Sequence, residues 1–185
     1  MIIEDAAIFN NEEKDIVNNI ILGETFPFYW HPYQVVGDDC PYFRHNLIDR
    51  NDKKVTSPFI NFFDVVIKRF LKKHNIEFKQ YLRACINLTY PINKEKGEAH
   101  VDHYFNYSSI LIYLNSSSGC TVIYDYKYDE NLSENQNLLN FKKNEKVLKK
   151  IKPEQFKIVY IKNPLYHCLE YPLINRRLIG VFTFN

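Results

Sequence analysis

The sequence lacks most of what would staple a small domain or tether it to a membrane. Four cysteines, Cys40, Cys85, Cys120 and Cys168, are scattered singly over 185 residues. With no C-x-x-C pair among them, a zinc ribbon or thioredoxin-type site is not expected. They read as reduced thiols of a cytoplasmic protein, with a disulfide as the second reading. No run of about 18 apolar residues occurs, so no membrane-spanning helix is expected. The opening stretch MIIEDAAIFNNEEKD has neither the basic region nor the apolar core of a signal peptide. Charge of one sign is also missing: 24 Lys and Arg against 22 Asp and Glu leave a formal net charge of +2. That balance offers no global field for nucleic acid or an anionic membrane. Glycine is scarce, 5 residues against 14 Phe, 14 Tyr and one Trp.

What is present reads as one globular domain. Hydrophobic residues make up 45% and charged residues 25%, and a chain of this length buries about 70% of its unfolded surface without staples. A first helix is expected over residues 11–22, with Asn10 and Glu13 as a capping box and Gly23 as its stop. Residues 24–40, ETFPFYWHPYQVVGDDC, read as a packed aromatic loop or a lid, with Tyr29, Trp30 or His31 near a pocket mouth. A second helix is expected over 58–73. Ile60, Phe63, Val66, Ile67, Phe70 and Leu71 recur there at three- and four-residue spacing and form one apolar stripe. From residue 81 onward YLRACINLTY, YSSILIYLN, CTVIYDY, FKIVYIK and RRLIGVFTFN read as strands. Residues 127–152, rich in lysine, read as a projecting, mobile connection. Helices followed by at least five strands imply a mainly β protein, an antiparallel sandwich or barrel with flanking helices.

The chemistry-bearing segment is His100-Val101-Asp102. In extended backbone residues i and i+2 share a face, so an imidazole and a carboxylate at this spacing can grip one metal ion. His167, beyond FKIVYIK and the turn Asn163-Pro164, is the third candidate. Two histidines and one carboxylate form the facial triad of non-haem Fe(II) sites and leave the opposite face open. Zinc accepts the same three ligands. His103 points away from such a site if the segment is a strand. His45 reads as a surface residue, and His74 as a helix-end residue facing solvent. Arg177, ten residues after His167, can hold a carboxylate bidentately. Tyr90, ten residues before His100, can donate a hydrogen bond into the same space.

Together, RACINLTYP, HVDH, SSILIYLNSSSGCTVIYD and FKIVYIKNPLYHCLEYPLINRRLIGVFTFN resemble the catalytic core of 2-oxoglutarate/Fe(II)-dependent oxygenases. More narrowly they are similar to the small prolyl-4-hydroxylase-type members that bacteriophages encode. The resemblance covers about residues 80–185. It implies a double-stranded β-helix (jelly roll) as the catalytic core, with residues 1–79 as helical and loop support in a single 1–185 domain. It also implies Fe(II) on His100, Asp102 and His167, with 2-oxoglutarate on Arg177 and Tyr90 and O₂ as cosubstrate. A C–H bond would be hydroxylated with release of succinate and CO₂, on a peptidyl proline by analogy, or on a small molecule. The protein would then work in the cytoplasm, the host's if phage-encoded. The sequence departs from the pattern in having Gly119-Cys120-Thr121 where Gly-Gly or Gly-Asp often precedes the threonine. The doubled arginine also leaves Arg176 open as the anchor, although strand alternation favours Arg177, on one face with Ile179, Val181 and Thr183. A non-catalytic jelly-roll binding module and a zinc-dependent hydrolase or cupin-type metalloprotein are the competing readings. Arg177 and Tyr90 favour the oxygenase, because neither alternative needs a buried diacid.

Overall fold

A computed structural model of the chain describes residues 1–35 and 38–185. The expected lid spans the two remaining positions, Val36 and Gly37, which lie outside the described residues. Among the described residues, ten strands form two antiparallel sheets. The larger runs in the order β1 (Ile2–Asp5), β8 (Ile158–Lys162), β5 (Ser108–Tyr113), β10 (Arg177–Phe184), β4 (Tyr81–Thr89), β3 (Tyr42–Ile48), β2 (Tyr29–His31). The smaller runs β7 (Val147–Ile151), β6 (Thr121–Lys127), β9 (Leu165–Leu169). Single bridges Lys96–Glu170 and His100–His167 extend the small sheet by one irregular segment. This is the expected jelly roll.

Strand alternation divides the large sheet into two faces. Ala84, Ile86 and Leu88 of β4 and Leu178, Phe182 and Phe184 of β10 join an apolar core with both N-terminal helices. α1 (Asn11–Ile16) continues through one wider π turn over Val17–Ile21, and Asn10 and Glu13 form the expected capping box. α2 (Phe59–Lys73) buries all six residues of its predicted stripe, each worth roughly 1.5–3 kcal/mol of transfer free energy. On the other face, Leu111, Val159 and Ile179 meet Ile123 and Ile151 of the small sheet.

Three expectations need correction. Residues 127–152 are not a projecting connection: they hold α3 (Glu134–Lys143) and β7. Ser133 and Gln136 cap α3 reciprocally. Its Phe141 packs with Val122, Tyr124 and Tyr166 on the outer face of the small sheet. The helix was hidden by its lysines, which all point to solvent, while one aromatic and the wholly buried Asn137 do the anchoring. His45 is no surface residue. It is buried, with Nδ1 2.8 Å from the Pro27 carbonyl and Nε2 2.8 Å from Ser57 Oγ, and burial lowers its pKa. It sits on β3, a strand that the sequence pattern did not reveal. His74 does end α2, but it turns back onto Asp5, 2.8 Å from its Oδ2. All four cysteines are free thiols.

Candidate metal and cosubstrate site

The space between the sheets opens as a cavity of about 460 Å³. At its wall His100 and His167 are joined by a reciprocal backbone pair, each N–H donating to the other's carbonyl at 2.9 Å. Paired residues on an antiparallel bridge point to one face, which brings the rings to 4.7 Å between centroids. His100-Val101-Asp102 is therefore a bridge followed by irregular backbone, and not the strand expected. Asp102 is turned inward instead by its N–H, which donates to Tyr107 Oη at 2.8 Å. Ligand atoms of His100, Asp102 and His167 all lie within 4.8 Å of one another. Among the described residues this is the one such cluster.

The surroundings orient the three candidate ligands. His100 Nδ1 and His167 Nδ1 each sit 3.0 Å from a main-chain carbonyl, those of Glu98 and Leu165. Donation there fixes the tautomer and leaves both Nε2 atoms as lone-pair ligands. Arg83 Nη1 donates to Asp102 Oδ1 at 3.0 Å, and Oδ2 remains facing His167 Nε2 at 3.7 Å. Burial alone would raise the pKa of Asp102, but His167, Arg83, His100 and Arg50 outweigh it and hold the carboxylate charged. His100 is pushed down to about 4, first by burial and then by His167, so its ring is neutral. A charged Asp102 and a neutral His100 are in the donor forms a divalent metal needs. His103 is not in this cluster: its Nε2 is 2.8 Å from Thr183 Oγ1.

Deeper in the cavity, Arg177 is 4% exposed. Its Nη2 donates to Thr121 Oγ1 at 2.7 Å, and its guanidinium lies 5.7 Å from the Tyr113 ring centroid. Tyr113 Oη donates to the same Thr121 oxygen at 2.7 Å. Thr121 thus accepts twice and keeps its own proton to donate, while Arg177 Nε is buried without a partner. Two unused donors at the closed end of a cavity suit a carboxylate. Gly119 positions this threonine, since a β-carbon at Gly119 would fall against the Glu170 carbonyl and Pro172 N. Arg176 points to the opposite face and donates to the Leu22 carbonyl. Tyr90 does not reach the cavity. It shares the parity of Ile86 and Leu88, which face the helices, whereas Arg83 and Asn87 face the cavity. It is 47% exposed and rests edge-on against Phe43.

The sequence matches no protein-family model and no curated protein. Solved structures do match. An oxidoreductase of the 2OG-Fe(II) oxygenase family from Burkholderia pseudomallei superposes with a TM-score of 0.70 at 14% identity, over 99% of this chain and 84% of that one. A Pseudomonas putida prolyl-4-hydroxylase gives 0.57 at 12% identity, over 100% and 92%. A prolyl hydroxylase from Trichoplax adhaerens, in complex with a hypoxia inducible factor peptide fragment, gives 0.60 at 14% identity, over 99% and 83%. The chain has the fold of the 2-oxoglutarate/Fe(II) oxygenases.

Within this oxygenase fold, several cavity residues escaped the sequence reading. Arg44 and Tyr42 lie on the unpredicted β3, and Arg50 follows it. Arg83 and Asn87 carry no motif beyond their alternation on β4. Tyr113 and Thr121 belong to the Y-L-N and G-x-T pieces, but only the fold places their hydroxyls together. Of the 29–31 segment, His31 lines the cavity, whereas Tyr29 and Trp30 are largely exposed.

Proposed function

We propose that the protein is a 2-oxoglutarate- and Fe(II)-dependent oxygenase that hydroxylates an unactivated C–H bond. The observation that carries this is Arg177, with an unpartnered Nε at the closed end of the same cavity that gathers His100, Asp102 and His167. Bound Fe(II), with 2-oxoglutarate and O₂, supplies the oxidising chemistry that adds one oxygen atom to the substrate and releases succinate and CO₂. His100, Asp102 and His167 would hold the iron through three positions and leave the rest open. Arg177 and the free Thr121 proton would take the distal carboxylate of 2-oxoglutarate, the role that the sequence assigned in part to Tyr90. Arg83 keeps Asp102 ionised and pins the oxygen that faces away from His167. A peptidyl proline is the substrate class favoured by the two prolyl hydroxylase neighbours.

Anaerobic addition of Fe(II) and 2-oxoglutarate tests the reading. A weak visible charge-transfer band is expected, growing only when both are present. A zinc hydrolase or a non-catalytic binding module would give no band, and its absence would overturn the assignment.

A further inference from the structure

The cavity carries more positive charge than the proposed chemistry uses. Arg44, Arg50, Arg83 and Arg177 line it, against only Asp49 and Asp102. Arg177 is taken by the cosubstrate, and Arg83 by Asp102 at 3.0 Å. Asp49 accepts from the Asn51 N–H at 2.8 Å and keeps its negative charge. A divalent metal with a dianionic cosubstrate adds no net charge, so four arginines against two carboxylates leave two positive charges. Arg44 and Arg50 are the two arginines without a committed partner among the described residues.

Their placement is specific. On β3 the side chains of Tyr42, Arg44 and Asn46 face the cavity. Arg44 stands opposite Asn87 of β4, as does Ile179 of β10 on that residue's other side. Two interstrand spacings thus put the Arg44 backbone about 10 Å from that of Ile179, away from the Arg177 end. Arg44 makes no ion pair among the described residues, and its Nε is buried without a partner. Arg50 reaches Asp102 Oδ1 only at 3.6 Å, an oxygen already held by Arg83, and its side chain is 47% exposed. From the facing segment, Gln34 brings a second buried donor, Nε2, without a partner among the described residues, into the same cavity. The pKa of His31 beside them is lowered, by burial first and then by Arg44 and Arg83. A neutral substrate would leave the buried Arg44 and Gln34 donors desolvated and unpaired, whereas an oxyanion would satisfy them.

We propose that the substrate carries an anionic group, a carboxylate or a phosphate, which seats on Arg44 and Arg50 at the open half of the cavity. This rests on the oxygenase reading and narrows its substrate class.

The test uses the full chain with Mn(II) and saturating N-oxalylglycine, a stand-in that occupies the cosubstrate position. Benzoate, phenyl phosphate and uncharged benzamide are then titrated by calorimetry or ligand-observed NMR. One of the two anions should bind at least about tenfold tighter than benzamide, as expected when charge-assisted hydrogen bonds are gained. The tighter of the two identifies carboxylate or phosphate. Arg44→Gln and Arg50→Gln should each weaken that anion by about tenfold or more, and Arg44→Lys should recover part of the loss. If benzamide binds within about threefold of the better anion, or the two Gln variants bind that anion as the parent does, the proposal is overturned. Retained N-oxalylglycine binding shows that the Gln variants are folded. Failure of N-oxalylglycine to bind the parent, or its indifference to Arg177→Gln, would count against the oxygenase reading instead.

Discussion

The two halves of the cavity are built differently. The closed half lies between β10 and the small sheet, where Arg177, Thr121 and Tyr113 brace one another through hydrogen bonds of 2.7 Å. The open half lies over β3 and β2, beyond the apolar contact between the sheets, and its Arg44 and Gln34 keep buried donors without partners. A network braced by its own hydrogen bonds, with Arg177 Nε still open, is preorganised for a ligand that never varies, in the proposed reading the cosubstrate. The donors of the open half have no such bracing and would be completed by the substrate. On that reading one half sets the reaction and the other selects what reacts.

The proposed metal ligands lie between the halves, and their loss has the largest expected effect. His100→Ala or His167→Ala should abolish Fe(II)-dependent 2-oxoglutarate turnover with the fold intact, and His103→Ala should still bind iron. Asp102→Ala should lose turnover and stability together, because Arg83 is then buried unpaired, at a cost of about 3–5 kcal/mol. Denaturant melts beside a succinate assay distinguish the two kinds of loss. A turnover-competent His167→Ala protein would remove the ligand assignment.

Next in size is the contrast between neighbouring arginines. Arg177→Ala should raise the 2-oxoglutarate requirement roughly ten- to a hundredfold, the worth of a charge-assisted fork. Arg176→Ala should stay close to the parent, since that side chain serves the Leu22 carbonyl. Steady-state titration of 2-oxoglutarate reads both. Equal effects of the two substitutions would mean that the closed half is not organised around Arg177.

The closed half also depends on what covers the small sheet from outside. Phe141→Ala should cost about 3–5 kcal/mol by denaturant unfolding, as for a large buried aromatic. Lys142→Ala, one position on, should change stability by less than about 0.5 kcal/mol. Equal, small effects would return residues 127–152 to the status of a loose connection.

The smallest effect is expected at Tyr90. Tyr90→Ala should leave 2-oxoglutarate affinity unchanged and alter stability by at most about 0.5 kcal/mol, in keeping with an exposed ring. A tenfold loss of affinity would bring Tyr90 back into the closed half and displace Thr121 and Tyr113 from the proposed role.

The sequence by itself determined whatever rests on local period and short spacing. The stripe of α2, the capping box of α1, the alternation along β4 and β10, and the selection of Arg177 over Arg176 all follow from side-chain directions that neighbouring residues impose on one another. His167 could be nominated from its place after a strand and turn, but no local rule brings it to His100, since the two lie far apart in the chain. Tertiary structure alone decided the rest. Arg83 became the partner of Asp102 because β4 presents it to the same cavity that holds the His100–Asp102 segment. His45 was buried because β3 turned it toward the helices, where Ser57 and Pro27 could satisfy both ring nitrogens. α3 found its place through Phe141 because the small sheet left an apolar outer face to cover. Pairing and burial are properties of segments that meet only after folding, and the chain's own period carries no record of its partners.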